Sequence, residues 1–113
     1  MSLRQDRVAD QIRDRLALLF SLEEISDPRL DGVTITAVKV TPDLQLASVY
    51  YRVLDNSEES RKQAQKGFES CNGFLRKKLS EGLDLRRVPE LRYFFDESIE
   101  RGAHIEKLLG DLD

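Results

Sequence analysis

The residues of this chain with the clearest chemistry are its cations. Nine Lys and Arg fall between Arg61 and Arg92 against four carboxylates, Glu69, Glu81, Asp84 and Glu90, a local balance of +5 in a protein whose net charge is −3. They form three clusters: Arg76/Lys77/Lys78, Arg86/Arg87 and Arg92. Such groups suit phosphate, which Arg grips in a bidentate fork and Lys meets as a point charge. An acidic protein that gathers positive charge in one segment is arranged to hold a polyanion there and stay soluble elsewhere.

Catalysis has no comparable candidate. His104, the only histidine, stands beside Ile105 and Glu106 on a charged stretch and reads as a surface or half-buried residue. Cys71, the only cysteine, falls on an apolar stripe with no histidine in sequence range, so it reads as a small core residue rather than a nucleophile. No metal-ligand spacing, phosphate-binding loop or dinucleotide fingerprint occurs. The expectation is a non-enzyme with no catalytic residue, cofactor, metal or small-molecule substrate.

The elements that must position the cations follow from length and periodicity. At 113 residues and 40% apolar content, the chain is expected to form one domain, residues 1–113, around a single core. One cysteine excludes an internal disulfide, the start MSLRQDRVADQ lacks a signal peptide's apolar run, and no apolar stretch approaches the ~20 residues of a membrane span. A cytoplasmic, monomeric protein without a membrane partner is the expectation.

From Leu3 to about Glu24, Val8, Ile12, Leu16 and Leu19/Phe20 make one helical stripe. Arg4, Arg7 and Arg15 share a flank of it; this is either a solvated face pairing with Asp6, Asp10 and Asp14, or Arg4 and Arg7 extend the basic surface. Pro28 ends the helix and pushes Asp27 out of the helical region. Val33 to Val40 and Leu46 to Val53 then read as strands joined by a Thr41-Pro42-Asp43-Leu44 turn, an antiparallel hairpin whose alternation slips near Ala37, as at a β-bulge.

Asn56, with Glu59 three residues on, reads as the cap of a long second helix, whose stripe is Ala64, Phe68, Cys71, Leu75 and Leu79. Gly73 in mid-helix costs about 1 kcal/mol relative to alanine, so either a close approach or a kink at Cys71-Asn72-Gly73 should account for it. Leu91 to Phe95 is a third strand, and a crossover of this length favours parallel pairing and a mixed sheet. Tyr50, Tyr51, Tyr93, Phe94 and Phe95 could stack on bases, but a three-stranded sheet must bury one face, so they read as core beneath the helices. Asp96 is expected to cap a terminal helix from Glu97 to Leu112.

This order of elements, with these residues, resembles the ribosome-binding factor A family. The likeness lies in Arg7-Val8-Ala9 with Gln11-Ile12, in Asp27-Pro28-Arg29-Leu30, in Thr41-Pro42-Asp43-Leu44 with Tyr50-Tyr51, in Gly73-Phe74-Leu75-Arg76 running through Leu85-Arg86-Arg87-Val88-Pro89-Glu90-Leu91, and in Asp96-Glu97-Ser98 with Gly102. It implies an α+β domain of the type II KH-like class, in αββααβ order with a kinked long helix and a three-stranded mixed sheet. It also implies an assembly factor that binds the immature small ribosomal subunit and its rRNA and assists late maturation and rRNA processing.

KH domains clamp nucleotide backbone with a Gly-x-x-Gly loop, and none of the six glycines here is so spaced. The resemblance implies that an Ala-x-Gly helix kink replaces it, mapping onto Cys71-Asn72-Gly73 with cysteine in place of alanine. The RNA-binding candidates are Arg76, Lys77, Lys78, Arg86, Arg87, Arg92, Arg4 and Arg7. The alternative is a protein-interaction module that docks a partner through the acidic faces.

Overall fold

In the computed structural model, which describes residues 3–22, 24–83 and 85–97, helix α1 (Leu3–Ser21) lays its apolar stripe against a sheet. Val8, Ile12, Leu16 and Leu19 are buried along it, as the four-residue period requires. Each fully buried Leu or Ile contributes roughly 1.5–3 kcal/mol. After α1 the chain turns through a short 3-10 segment, Pro28–Leu30. Asp27 is extended there, as a residue before proline should be, and its carboxylate caps the turn by accepting the Arg29 N–H at 2.9 Å.

Strands β1 (Thr34–Val40) and β2 (Leu46–Arg52) form the antiparallel hairpin. Its turn closes with the Leu44 N–H donating to the Thr41 carbonyl at 2.8 Å, with Pro42 at the second position. The register slips between Ile35 and Ala37, so Thr36 is the bulged residue. That slip is what lets Ile35, Val38 and Val40 all oppose Tyr51, Val49 and Ala47 on the core side.

Helix α2 (Glu58–Gly82) is capped one residue later than the sequence suggests. Ser57 Oγ, not Asn56, accepts the Ser60 N–H, at 3.1 Å. Asn56 is left-handed, with φ +59°, a conformation asparagine tolerates, and so belongs to the turn before the cap. The residue at the box position is therefore Ser60 rather than Glu59, and no reciprocal box forms. Glu58 and Glu59 still occupy the first turn, where the helix dipole favours negative charge.

Strand β3 (Glu90–Phe95) pairs parallel with β2, giving a mixed sheet in the order β1-β2-β3. Ala47, Val49 and Tyr51 lie beside Leu91, Tyr93 and Phe95, and both helices pack on this side. At its centre Phe68 stacks on Tyr93, with ring centroids 4.5 Å apart and planes 14° apart, and meets Tyr51 at 4.8 Å. Such ring pairs add about 0.5–1.5 kcal/mol beyond the area they bury.

The expectation that all five sheet aromatics are core is corrected here. Tyr51 and Tyr93 are buried, whereas Tyr50 and Phe94 point to the other side of the sheet, Phe94 being 43% exposed. Strand alternation forces this, since neighbours in sequence cannot face the same way. The two helical segments expected between β2 and β3 form one unbroken run, Glu58–Gly82, so the described elements read αββαβ where αββααβ was expected. The expected terminal helix lies outside the described residues beyond Glu97. Asp96 itself accepts a 2.6 Å hydrogen bond from the Thr36 hydroxyl at the bulge.

Candidate nucleic-acid interface

The roll of α2 decides where its basic triplet points. Leu75 and Leu79 are fully buried, and at 100° per residue this sets Arg76 on one flank of the buried stripe, Lys78 on the other and Lys77 straight outward. The triplet thus fans around the helix. Arg76 turns toward the segment that precedes β3, and its Nη2 donates to the Val88 carbonyl at 3.4 Å. Lys78 stands 5.7 Å over the Phe74 ring and lies 3.9 Å from Glu81.

A second basic residue comes to Arg76 from the loop. Arg76 and Arg87 border one depression of about 400 Å³, together with Gln45, Asn72, Val88 and Glu90. Three anchors fix this geometry. Pro89 is fully buried and pins the loop. The Glu90 N–H donates to the Gln45 carbonyl at 2.8 Å, tying the loop to the β1–β2 turn. The Tyr93 hydroxyl donates to Asn72 Oδ1 at 2.9 Å, orienting that amide. Burial pushes the Tyr93 phenol well above its ordinary pKa, so it stays a neutral donor.

Among the described residues, Arg76, Lys77, Arg86 and Arg87 have no carboxylate within ion-pair range. Lys78 and Arg92 have only loose, exposed pairs, Arg92 Nε lying 4.0 Å from Glu90, and pairs of that kind contribute little. Arg92 is set apart from Arg76 by the sheet, because it faces the side away from the helices, in register with Ser48. Arg86 is exposed on the loop beside Arg87.

Arg4 and Arg7 are exposed on α1. The pairing with Asp6, Asp10 and Asp14 that would neutralise them is not found; the one pair on α1 among the described residues is Arg13 with Asp14, at 3.4 Å. Arg15, on their flank, reaches the end of α2 and packs so closely on Gly82 that a Cβ there would collide with its guanidinium. Its Nε is buried without a hydrogen-bond partner among the described residues. The flank carrying Arg4 and Arg7 therefore faces the side where α2 ends and the Arg86/Arg87 loop begins.

Cys71 and Gly73 mark the middle of α2. The Cys71 thiol donates to Asp27 Oδ2 at 3.7 Å, and burial, followed by the nearby Asp27 charge, raises its pKa, which is unsuited to a nucleophile. A Cβ on Gly73 would meet nothing within 4 Å, so no part of the described chain needs a glycine there. Gln45 carries no signal in the sequence, and Asn72 stands out there only as part of the expected kink. The parallel β2–β3 register brings Gln45, in the hairpin turn, to the base of the loop, and the Tyr93 hydroxyl on β3 holds Asn72 beside it. No group of three or more His, Cys, Asp or Glu among the described residues could hold a metal, and no helix there is long and apolar enough to cross a membrane.

Two helices on one face of a mixed sheet, whose central strand is antiparallel to one neighbour and parallel to the other, define an α+β domain of the KH-like class. The family model for ribosome-binding factor A matches residues 4–109, and the chain belongs to that family. A ribosome-binding factor A from Desulfatibacillum aliphaticivorans is 44% identical over 109 residues, 96% of this chain and 87% of the relative. The crystal structure of ribosome-binding factor A from Thermus thermophilus superposes with a TM-score of 0.66 at 27% identity, over 80% of this chain and 93% of that one. A homology model of the Thermus thermophilus factor, fitted into a cryo-EM map of its 30S complex, superposes with a TM-score of 0.59 at 25% identity, over 78% of this chain and 92% of that one.

Proposed function

We propose that this protein is a non-catalytic, cytoplasmic assembly factor, a single-domain monomer that binds the immature small ribosomal subunit through its rRNA and assists late maturation and rRNA processing. The observation that carries this reading is the meeting of Arg76 and Arg87, neither with a carboxylate partner among the described residues, at one depression on an acidic protein. The Thermus thermophilus relative's 30S complex supports the choice of partner. Arg76, Lys77, Arg86 and Arg87 make the main phosphate contacts. Arg4 and Arg7 extend them from α1, and Lys78 and Arg92 serve as flanking cations. Gly73, open on its outer side, lets the RNA backbone approach α2 at Cys71-Asn72-Gly73, where the helix takes up a kink.

Filter binding of isolated small subunits across a salt series tests the reading. Binding should weaken steeply with salt, with log K falling by about 0.7–0.9 per phosphate contact for each unit of log salt. Charge reversal at Arg76, Lys77 and Lys78 should flatten that slope. A salt-independent affinity, or binding that survives ribonuclease treatment of the partner, would refute phosphate recognition.

A further inference from the structure

The side of the sheet turned away from the helices carries, between a Thr34/Arg52 row and a Leu46/Glu90 row, two rows of residues in register. One row is Ala37, Tyr50 and Phe94; the next is Lys39, Ser48 and Arg92. None of the six is buried, and no described element packs on them. The Tyr50 and Phe94 rings lie side by side, with centroids 5.7 Å apart and planes 33° apart. Ala37, short on the other side of Tyr50, leaves that ring half-buried. Lys39 Nζ stands 5.5 Å from the Tyr50 centroid, and Arg92 flanks Phe94 on its own strand, its one carboxylate neighbour among the described residues the exposed Glu90 at 4.0 Å.

An aromatic pair with one ring exposed and the other half-buried marks a binding surface more often than a lone exposed ring does. What it fits is set by its border. A protein-docking patch is bounded by further apolar residues, whereas the row next to this pair holds Lys39, Ser48 and Arg92, two cations with a hydroxyl between them, and Leu46 and Glu90 come only in the row beyond. Two positions along a strand span about 6.8 Å, so a nucleotide whose base covers the rings brings its phosphate over the row of cations. Flat rings on a sheet with cations beside them are how single-stranded RNA is held without base pairing.

We infer that Tyr50 and Phe94, with Lys39 and Arg92, form a stacking platform for single-stranded RNA on the sheet face opposite the helices. This rests on the proposed RNA partner but uses a surface distinct from the Arg76/Arg87 depression. A single-stranded tail or loop of the rRNA held there, while the arginines grip backbone on the helical side, would be clasped on both faces of the domain.

Fluorescence anisotropy with labelled octauridylate, run beside small-subunit binding, tests it. Tyr50→Ala and Phe94→Ala should each weaken octauridylate binding about five- to a hundredfold, the equivalent of one stacked base. Tyr50→Phe and Phe94→Tyr, which keep the rings, should retain it, and Lys39→Gln should lower the salt slope by about 0.7. Phe94 is already exposed, so its alanine variant reads binding even where Tyr50→Ala fails to fold. Octauridylate binding unchanged in a folded Phe94→Ala variant, or absent in the unaltered protein, overturns the platform. If small subunits are at the same time lost by Arg76→Glu/Arg87→Glu, the phosphate reading stands without it. Loss of octauridylate by the ring variants, with subunit binding indifferent to the arginines, supports the platform and removes the arginine depression.

Discussion

The first half of helix α2, together with the Pro28–Leu30 turn packed on it, and the second half treat the same residue types in opposite ways. In the first half Gly67 lies under the Pro28–Leu30 turn, where a Cβ would come within 2.9 Å of Leu30 Cγ and 3.1 Å of Arg29 Cβ. Arg29 is taken up internally, with Nη2 2.7 Å from Asp27 Oδ2 and 2.9 Å from Ser70 Oγ. In the second half Gly73 faces open space and Arg76 has no carboxylate partner among the described residues. A glycine and an arginine serve packing in one place and lie open in the other. Residue type alone therefore does not say which cations are for a partner; the companion carboxylate does.

The comparison can be broken at each of its parts. The largest expected effect is at the core that both halves share: Phe68→Ala, at a fully buried ring stacked on Tyr93, should cost about 3–5 kcal/mol in denaturant unfolding. Next is Arg76→Glu with Arg87→Glu, which should reduce the salt slope of small-subunit binding by about two and weaken binding more than about tenfold. Its melting temperature should stay close to the parent's, because exposed substitutions usually change stability by less than about 0.5 kcal/mol. A matching loss of stability would mean that these arginines are structural, like Arg29.

The two glycines give a smaller and opposite pair of effects. Gly67→Ala should overpack Leu30 by about 1–3 kcal/mol, of which the better helix propensity of alanine returns about 1. Gly73→Ala meets nothing and should stabilise by up to about 1 kcal/mol. If subunit binding falls while stability rises, the glycine is kept for the partner. A destabilising Gly73→Ala would show instead a backbone conformation that alanine resists.

The smallest effect is a pH dependence. Hydrogen bonds from the Arg29 side chain and then from its backbone N–H hold the Asp27 carboxyl down to about 2, below its ordinary 3.8. A carboxyl depressed in the folded state stabilises fully above its unfolded pKa, and loses that contribution as pH falls through the folded one. Melting temperatures of the protein and of Asp27→Asn should therefore differ above pH ~4 and converge toward pH ~2. A constant gap across that range would show that the carboxylate's charge is not what matters.

The helices and hairpin are legible in the sequence because periodicity reports a buried face directly, as Val8, Ile12, Leu16 and Leu19 do. The bulge is legible too, since a slipped alternation at Ala37 has few other causes. The helix cap is ambiguous because Asn56 and Ser57 are both good caps, and only backbone geometry chooses between them. The sheet aromatics mislead because the sequence shows which residues alternate but not which side the helices cover. Arg76 meeting Arg87 depends on the parallel register and on Pro89, long-range facts that no local pattern carries. The sequence gathers the cations in one segment; the fold sends Arg92 to one side of the sheet and Lys78 to the far flank of α2.

Strand β2 holds a neighbour in sequence on one side and a distant one on the other. The hairpin can close as soon as it leaves the exit tunnel during synthesis, but β3 can dock only after the whole crossover has been made. Until then one edge of β2 is bare, and neither the Arg76/Arg87 depression nor the Tyr50/Phe94 pair exists, since each needs β3 or the loop before it. A nascent copy of this chain thus lacks both surfaces until translation has passed residue 95.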